Sequence, residues 1–421
     1  MTRNLMTWFR ILPALIAISC GDNQQTAIID QAIPRDLAMP DLAMPDFAMP
    51  DLRTPDFAMP DFSQPDFSTA AKPCAKGTTF VAGTALKTGI YPSALAIGDL
   101  NGDGMADIIA VNNHANSVSI FINKGMGAFA AKVDYPTGSQ PRAVALADMS
   151  GDGIPDLVLA NFGSNTVSVL LDKGDGTFAQ RVDHNTALGP SSVAVGDFNG
   201  DGKVDIAATN SSVDTLSVLI NQGSGMFATK VDYATGSSPQ SIAVGDMDND
   251  GKPDLVTANG TANTISILLN KGAGVFGNKT DHGAATSPQS IALGDFDGDG
   301  HTDIAIADLG ASSVSVILNI GNGMFLSRMN YATSVGPYAV ATGDLNSDGL
   351  LDLVAVDSTA GKTVGVFLNK GAGAFAAESE FTVGAAPQGL AIADIDGDGR
   401  ADIAVGNSND NTVSVLLAQC M

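Results

Sequence analysis

The stretch Asp295-Phe296-Asp297-Gly298-Asp299-Gly300-His301-Thr302-Asp303 puts four carboxylates into nine residues. Like charges this close repel one another unless a cation lies among them. Oxygen donors at alternating positions, with glycine at the sixth to allow a sharp turn, suit calcium. The pattern D-x-[DNS]-x-D-G-x-x-D recurs, beginning at Asp99, Asp148, Asp197, Asp246, Asp295, Asp344 and Asp394, at steps of 49 residues with a final step of 50. Seven copies at one period mean a repeat architecture.

In each loop positions one, three, five and nine can supply side-chain oxygen, and position seven a backbone carbonyl. The first loop offers Asp99, Asn101, Asp103 and Asp107 with the carbonyl of Met105; the second Asp148, Ser150, Asp152 and Asp156 with Ile154. The third offers Asp197, Asn199, Asp201 and Asp205 with Lys203; the fourth Asp246, Asp248, Asp250 and Asp254 with Lys252. The fifth offers Asp295, Asp297, Asp299 and Asp303 with His301; the sixth Asp344, Asn346, Asp348 and Asp352 with Leu350; the seventh Asp394, Asp396, Asp398 and Asp402 with Arg400. Up to seven Ca²⁺ ions are expected, the second site being the weaker because the Ser150 hydroxyl is a poorer ligand than a carboxylate. An EF-hand needs a glutamate at position twelve and flanking helices. Here the ninth aspartate opens a β-type run, as in Asp205-Ile206-Ala207-Ala208-Thr209-Asn210.

These loops carry more than half of the 45 acidic residues and set the formal charge of −24. A chain so acidic lacks the clustered Lys and Arg that bind phosphate backbones, which excludes nucleic acid as a partner.

The first residues read as targeting rather than fold. Arg3 and Arg10 flank a polar start, and Ile11 to Ile18 is apolar but too short to span a bilayer. The segment ends in Ala17-Ile18-Ser19-Cys20, which resembles the lipobox of bacterial lipoproteins. That resemblance implies a signal peptide over 1–19, a lipidated Cys20 as first mature residue, and export to the cell envelope, at the outer membrane or cell surface, with the membrane met through the lipid alone. Residues 20–73 follow as a tether. Within it, DLAMP, DLAMP, DFAMP, DLRTP, DFAMP and DFSQP run in succession. A proline every fifth residue removes a backbone donor and favours extended geometry, so a disordered spacer is expected.

Residues 74–421 hold the repeats. Each has an apolar run with small residues, the Asp loop, a β-type run, a polar turn, an alternating run such as Thr166-Val167-Ser168-Val169-Leu170-Leu171, and a glycine turn before a phenylalanine that starts a last run, as in Gly176-Thr177-Phe178. Four short strands per 49 residues, with no helical periodicity, predict an all-β chain folded as a seven-bladed β-propeller of four-stranded blades. The seventh unit stops after its third strand, while an orphan Gly77-Thr78-Thr79-Phe80 precedes the first loop. The N-terminal strand is therefore expected to complete the last blade. Cys74 and Cys420 then fall in the same turn of that blade, and in an exported protein a Cys74–Cys420 disulfide is expected there.

Loop, period and strand order together resemble FG-GAP/VCBS repeats, similar to those in the seven-bladed propeller of integrin α-subunits. That resemblance implies that the calcium hairpins join first and second strands on one face. It places ligands on the other face, with turns such as Asn113-His114-Ala115-Asn116 and Gly138-Ser139-Gln140-Pro141-Arg142.

Tyr135, His184, Tyr233, His282 and Tyr331 share one repeat position and alternate with apolar neighbours, which points to packing between blades. His114 stands alone in a turn, Arg, His and Tyr look scattered, and no H-E-x-x-H, G-x-S-x-G or phosphate-cradling loop occurs. The expected function is that of a monomeric binding, adhesion or scaffold module for an envelope protein or polysaccharide. A propeller-based enzyme, of polysaccharide lyase or phospholipase type, or a lectin is the alternative.

Overall fold

The structure is a computed structural model that describes residues 78–357 and 361–421. The signal segment, Cys20, the tether and Cys74 lie outside the described residues.

The first blade shows how one repeat folds. Its strands are Pro92–Gly98, Asp107–Asn112, Ser117–Phe121 and Val133–Pro136, paired antiparallel in that order. The strand beginning at the ninth aspartate is buried at every position, whereas the fourth strand is half-buried or exposed. The first strand starts with proline, which has no N–H to give and is tolerated at a strand start. Six further blades repeat this plan, with first strands starting at Pro141, Pro190, Pro239, Pro288, Pro337 and Pro387. The seven first strands stand side by side around an axis, and the last touches the first. The only helical turn among the described residues is a 3₁₀ turn, Leu309–Ala311.

The ring closes as the sequence predicts. In the seventh blade Thr78–Ala82 pairs antiparallel with Thr412–Cys420, with Thr78 opposite Cys420 and Ala82 opposite Leu416, and Leu86–Lys87 extends the ladder. Cys420 ends the third strand, rather than opening a turn. The phenylalanine of each repeat also sits differently from expectation. Phe129, Phe178, Phe276, Phe325 and Phe375 each bridge to the residue just after the third strand, and the outer strand begins four residues later. Asn123 opposes Phe129 and Ile120 opposes Val133, so one extra residue bulges the outer chain between the two pairings.

The core is divided among the blade interfaces. Seven clusters of buried apolar side chains occur, each drawn from two neighbouring blades, including one between the seventh and the first. The shared aromatic position completes these contacts. Tyr135 meets Phe178 edge-on at 5.3 Å, His184 meets Phe227 at 4.6 Å, Tyr233 meets Phe276 at 5.6 Å, His282 meets Phe325 at 4.9 Å and Tyr331 meets Phe375 at 5.4 Å. Phe381 and Phe80 continue the series into the closing blade at 5.1 Å. Each pair spans two blades, as expected from the alternation of that strand.

A side-chain clasp also ties blade to blade. The amide of Asn221 donates to the Met149 carbonyl of the preceding blade at 3.0 Å. Asn270, Asn319 and Asn369 reach Phe198, Met247 and Phe296 in the same way, and Asn123 reaches Ile395 across the closure. Two blades lack the clasp. Ala418 stands at the position in the seventh, and Asp172 in the second, where its Oδ2 is buried with no hydrogen-bond partner. An ionised carboxylate cannot donate to a carbonyl, and burial pushes the Asp172 carboxyl up. Asp172→Asn should therefore restore the donor and add about 1 kcal/mol of stability. Denaturant unfolding checks this; a less stable variant would show that the carboxylate is not the misfit.

The sixth blade breaks another repeated network. In the first four blades an asparagine ending the second strand donates to a serine on the third, which donates to an aspartate on the fourth, as with Asn112, Ser119 and Asp134. A cation two residues earlier pairs with that aspartate: Lys132, Arg181, Lys230 and Lys279. The sixth blade places Asp357, Gly365, Glu380 and Glu378 at these four positions. Glu378 folds into the room left by Gly365, where a Cβ would lie 2.0 Å from its Oε1. Burial, and then the charge of Asp357, push the Glu378 carboxyl up to about 7 from 4.5. A carboxyl raised in the folded state favours the protonated form there. The stability it withholds when ionised returns as pH falls from 7 towards 4.5. Glu378→Gln should raise the melting temperature near pH 8 and leave it little changed near pH 4.5. An equal gain at both pH values would exclude ionisation as the cause.

Candidate functional site

Two sets of residues carry chemistry, on opposite faces. The Asp loops join first and second strands at one face. In the first loop the Asp99 carboxylate accepts the N–H groups of Gly102 and Asp103 on Oδ1 and of Gly104 on Oδ2, at 2.8, 3.2 and 2.8 Å. Gly104 has φ 80°, and the sixth position is glycine in every copy because a side chain there would strain the turn. The residue at position seven donates its N–H to the carboxylate at position five in all seven loops, as Met105 does to Asp103 at 3.0 Å.

The ninth aspartates behave differently from the rest. Asp107, Asp156, Asp205, Asp254, Asp303, Asp352 and Asp402 are all fully buried. In each, Oδ2 accepts the N–H of loop position two; Oδ1 accepts an N–H just beyond the third strand or, in the seventh blade, that of Ala418 near its end. For Asp107 the donors are Leu100 at 2.9 Å and Asn123 at 2.7 Å. Burial raises these carboxyls to about 6 in the first five and about 7 in Asp352 and Asp402, against the backbone donors that lower them. They fasten the loop to the sheet.

In three loops carboxylates converge, in the seventh with the ninth aspartate itself among them. Carboxylate oxygens of Asp246, Asp248 and Asp250 lie within 4.8 Å of one another, as do those of Asp295, Asp297 and Asp299, and those of Asp394, Asp396 and Asp402. Asp248 Oδ1 is buried without a hydrogen-bond partner. These groups could bind a metal ion, and a hard cation fits an all-oxygen set with an unused buried oxygen. Asn101, Ser150, Asn199 and Asn346 leave fewer charges in the other four loops. Lys203, Lys252 and Arg400 at position seven turn back onto the carboxylate at position five. Exposed pairs of this kind add little stability. They lower the negative charge that the third, fourth and seventh loops offer to a cation.

The other face carries a cavity on the axis, with a volume of about 390 Å³. The second residue of each first strand lines it, giving a ring of Ser93, Arg142, Ser191, Gln240, Gln289, Tyr338 and Gln388. Tyr91, Asn113 and His114 join from neighbouring turns. These residues look scattered in the sequence because each blade contributes one; the fold brings them together. His114 is not alone, since its ring stacks on Tyr91 at 4.3 Å. Tyr91 has φ 64°, a conformation uncommon for a bulky residue. Asn411 Oδ1 holds it there by accepting its N–H at 2.8 Å, and Gln388 Nε2 donates to its hydroxyl at 2.7 Å. The Arg142 guanidinium lies 3.5 Å over the Phe162 ring. Burial pushes Arg142 down and Tyr338 up.

A seven-bladed propeller with an Asp loop at the first turn of every blade defines a class of repeat proteins. The FG-GAP-like repeat family matches six times, over residues 99–159, 148–208, 197–257, 247–306, 295–355 and 344–405, and the chain belongs to that family. A search of curated proteins found no match. Among solved structures the chain is similar to a streptogramin B lyase (14% identity, TM-score 0.56, 81% of this chain and 97% of that one). It is also similar to BBS1N, solved in complex with ARL6DN (12% identity, TM-score 0.56, 80% and 98%). A functionally unknown protein from Desulfotomaculum acetoxidans matches at 14% identity and TM-score 0.52, over 73% and 94%. Likeness at this identity shows the fold alone.

Proposed function

We propose that the chain is an exported binding module, anchored to the cell envelope by a lipid on Cys20, spaced by residues 20–73, and stabilised by Ca²⁺ in the Asp loops. Its seven blades present the face opposite those loops to an envelope polysaccharide or protein. The observation that carries this reading is the division of labour between the faces: converging loop carboxylates on one, a polar and aromatic axial cavity on the other. Propeller repeats of the FG-GAP-like family suit a binding or scaffold role. A Cys74–Cys420 disulfide belongs to the same reading. Thr78 lies opposite Cys420, and Cys74 precedes Thr78 by four residues, enough chain for a turn that brings it back to Cys420.

Calorimetry of the full chain separates the metal and disulfide parts. The melting temperature should fall on chelation, because a ligand of the native state stabilises it, and fall again on reduction. Insensitivity to chelator at millimolar calcium refutes the metal role, and insensitivity to reductant refutes the disulfide. Recognition is tested by a screen of envelope extracts and purified glycans with calcium and with chelator. Retention of an envelope polysaccharide or protein is the expected result, and retention of neither refutes the binding role. A second reading, a propeller enzyme, is favoured by His114, Arg142 and the two tyrosines meeting in one cavity. Shortening of a bound polymer during the same screen would establish it in place of simple binding.

A further inference from the structure

We propose that the axial cavity binds a saccharide through a carboxylate, with Arg142 as the anion-binding group; this rests on the reading of that face as the recognition surface. The Arg142 side chain makes no hydrogen bond and no ion pair among the described residues; its guanidinium lies over the Phe162 ring, with Tyr338 and Tyr91 nearby. A guanidinium carries five donors, and a part-buried one without an acceptor has lost water and gained little in return. The chain has 45 acidic residues, yet none lines this cavity. The axis is thus a place where a strongly acidic protein shows a positive group to solvent. A bound carboxylate would supply the missing acceptor in the bidentate geometry that a guanidinium favours.

The rest of the lining suits a sugar rather than a peptide side chain. Gln240, Gln289 and the serines offer amide and hydroxyl groups to ring hydroxyls, while Tyr338 and the Tyr91–His114 pair add aromatic surface. A volume of about 390 Å³ lies at the small end of ligand cavities, which run from roughly 300 to 1,000 Å³. Tyr91 is pre-set. Its backbone follows the turn that Gln140, Ser238 and Ser287 make in other blades, each held by a side-chain oxygen as Tyr91 is by Asn411, and its hydroxyl is fixed by Gln388.

The probe is a tetrasaccharide of glucuronate and N-acetylglucosamine, titrated calorimetrically into the full chain in calcium buffer. Its methyl ester has the same sugars without the charge. Binding of the acid, weakened by added salt and reduced by about tenfold or more in the ester, is the expected result. Arg142→Gln should cause a loss of the same size for the acid and none for the ester, with Arg142→Lys in between. Equal binding of acid and ester overturns the carboxylate assignment and leaves a polysaccharide-binding face standing. Binding of acetate as tightly as the tetrasaccharide overturns the saccharide part. No binding of the acid overturns the proposal, while retention of another envelope component in the extract screen would still support the binding role. The comparison of acid with ester uses the unaltered chain, so it decides the matter even if a variant at Arg142 fails to fold.

Discussion

The structure depends on one buried carboxylate per blade. The ninth aspartate of each loop has both oxygens occupied by backbone N–H groups, one from the loop and one from the end of the third strand or just past it. That single side chain fixes the shape of the hairpin, the start of the second strand and the exit of the third. The neighbouring asparagine then takes the next step, from within a blade to the blade before it. Loop conformation and ring assembly are therefore not separate problems. A carboxylate buried for the sake of the blade also leaves the next residues placed to grip the adjacent one.

Much of this was legible in the sequence, for a definite reason. A period of 49 residues, an acid pattern and a phenylalanine are local signals, and repetition makes each of them count seven times. The orphan Gly77-Thr78-Thr79-Phe80 could be recognised because six other copies showed what it lacked, and Phe80 indeed faces Phe381 between blades. The role of Tyr135 and its equivalents followed from strand alternation alone. The axial cavity was not legible. Its residues lie a whole repeat apart, and they differ from blade to blade, so no window of sequence contains two of the ring. The signal available was the second position of each first strand, just after the conserved-spacing proline, where serine and glutamine alternate with a single Arg142 and a single Tyr338.

Departures from the repeat are as informative as the repeat. Asp172 puts an acceptor where a donor belongs, and Ala418 puts nothing there. In the sixth blade, loss of a serine hydroxyl at Gly365 coincides with reversal of charge at Glu378, so one substitution makes room for the other. The fifth blade shows the opposite outcome. Asp308 and Asn330 exchange the acid and the amide of the network, and Ser315 still bridges them.

The closing blade has a consequence under load. A pull on the chain ahead of Thr78 would be passed to the strand that begins there. The strand that receives it, Thr78–Ala82, faces Thr412–Cys420 over five paired positions. It begins beside the far end of that same strand. Force applied at Thr78 is therefore delivered to the one seam where the circle is joined without a peptide bond. The place where tension enters is set by topology, at the blade that also makes the molecule a ring.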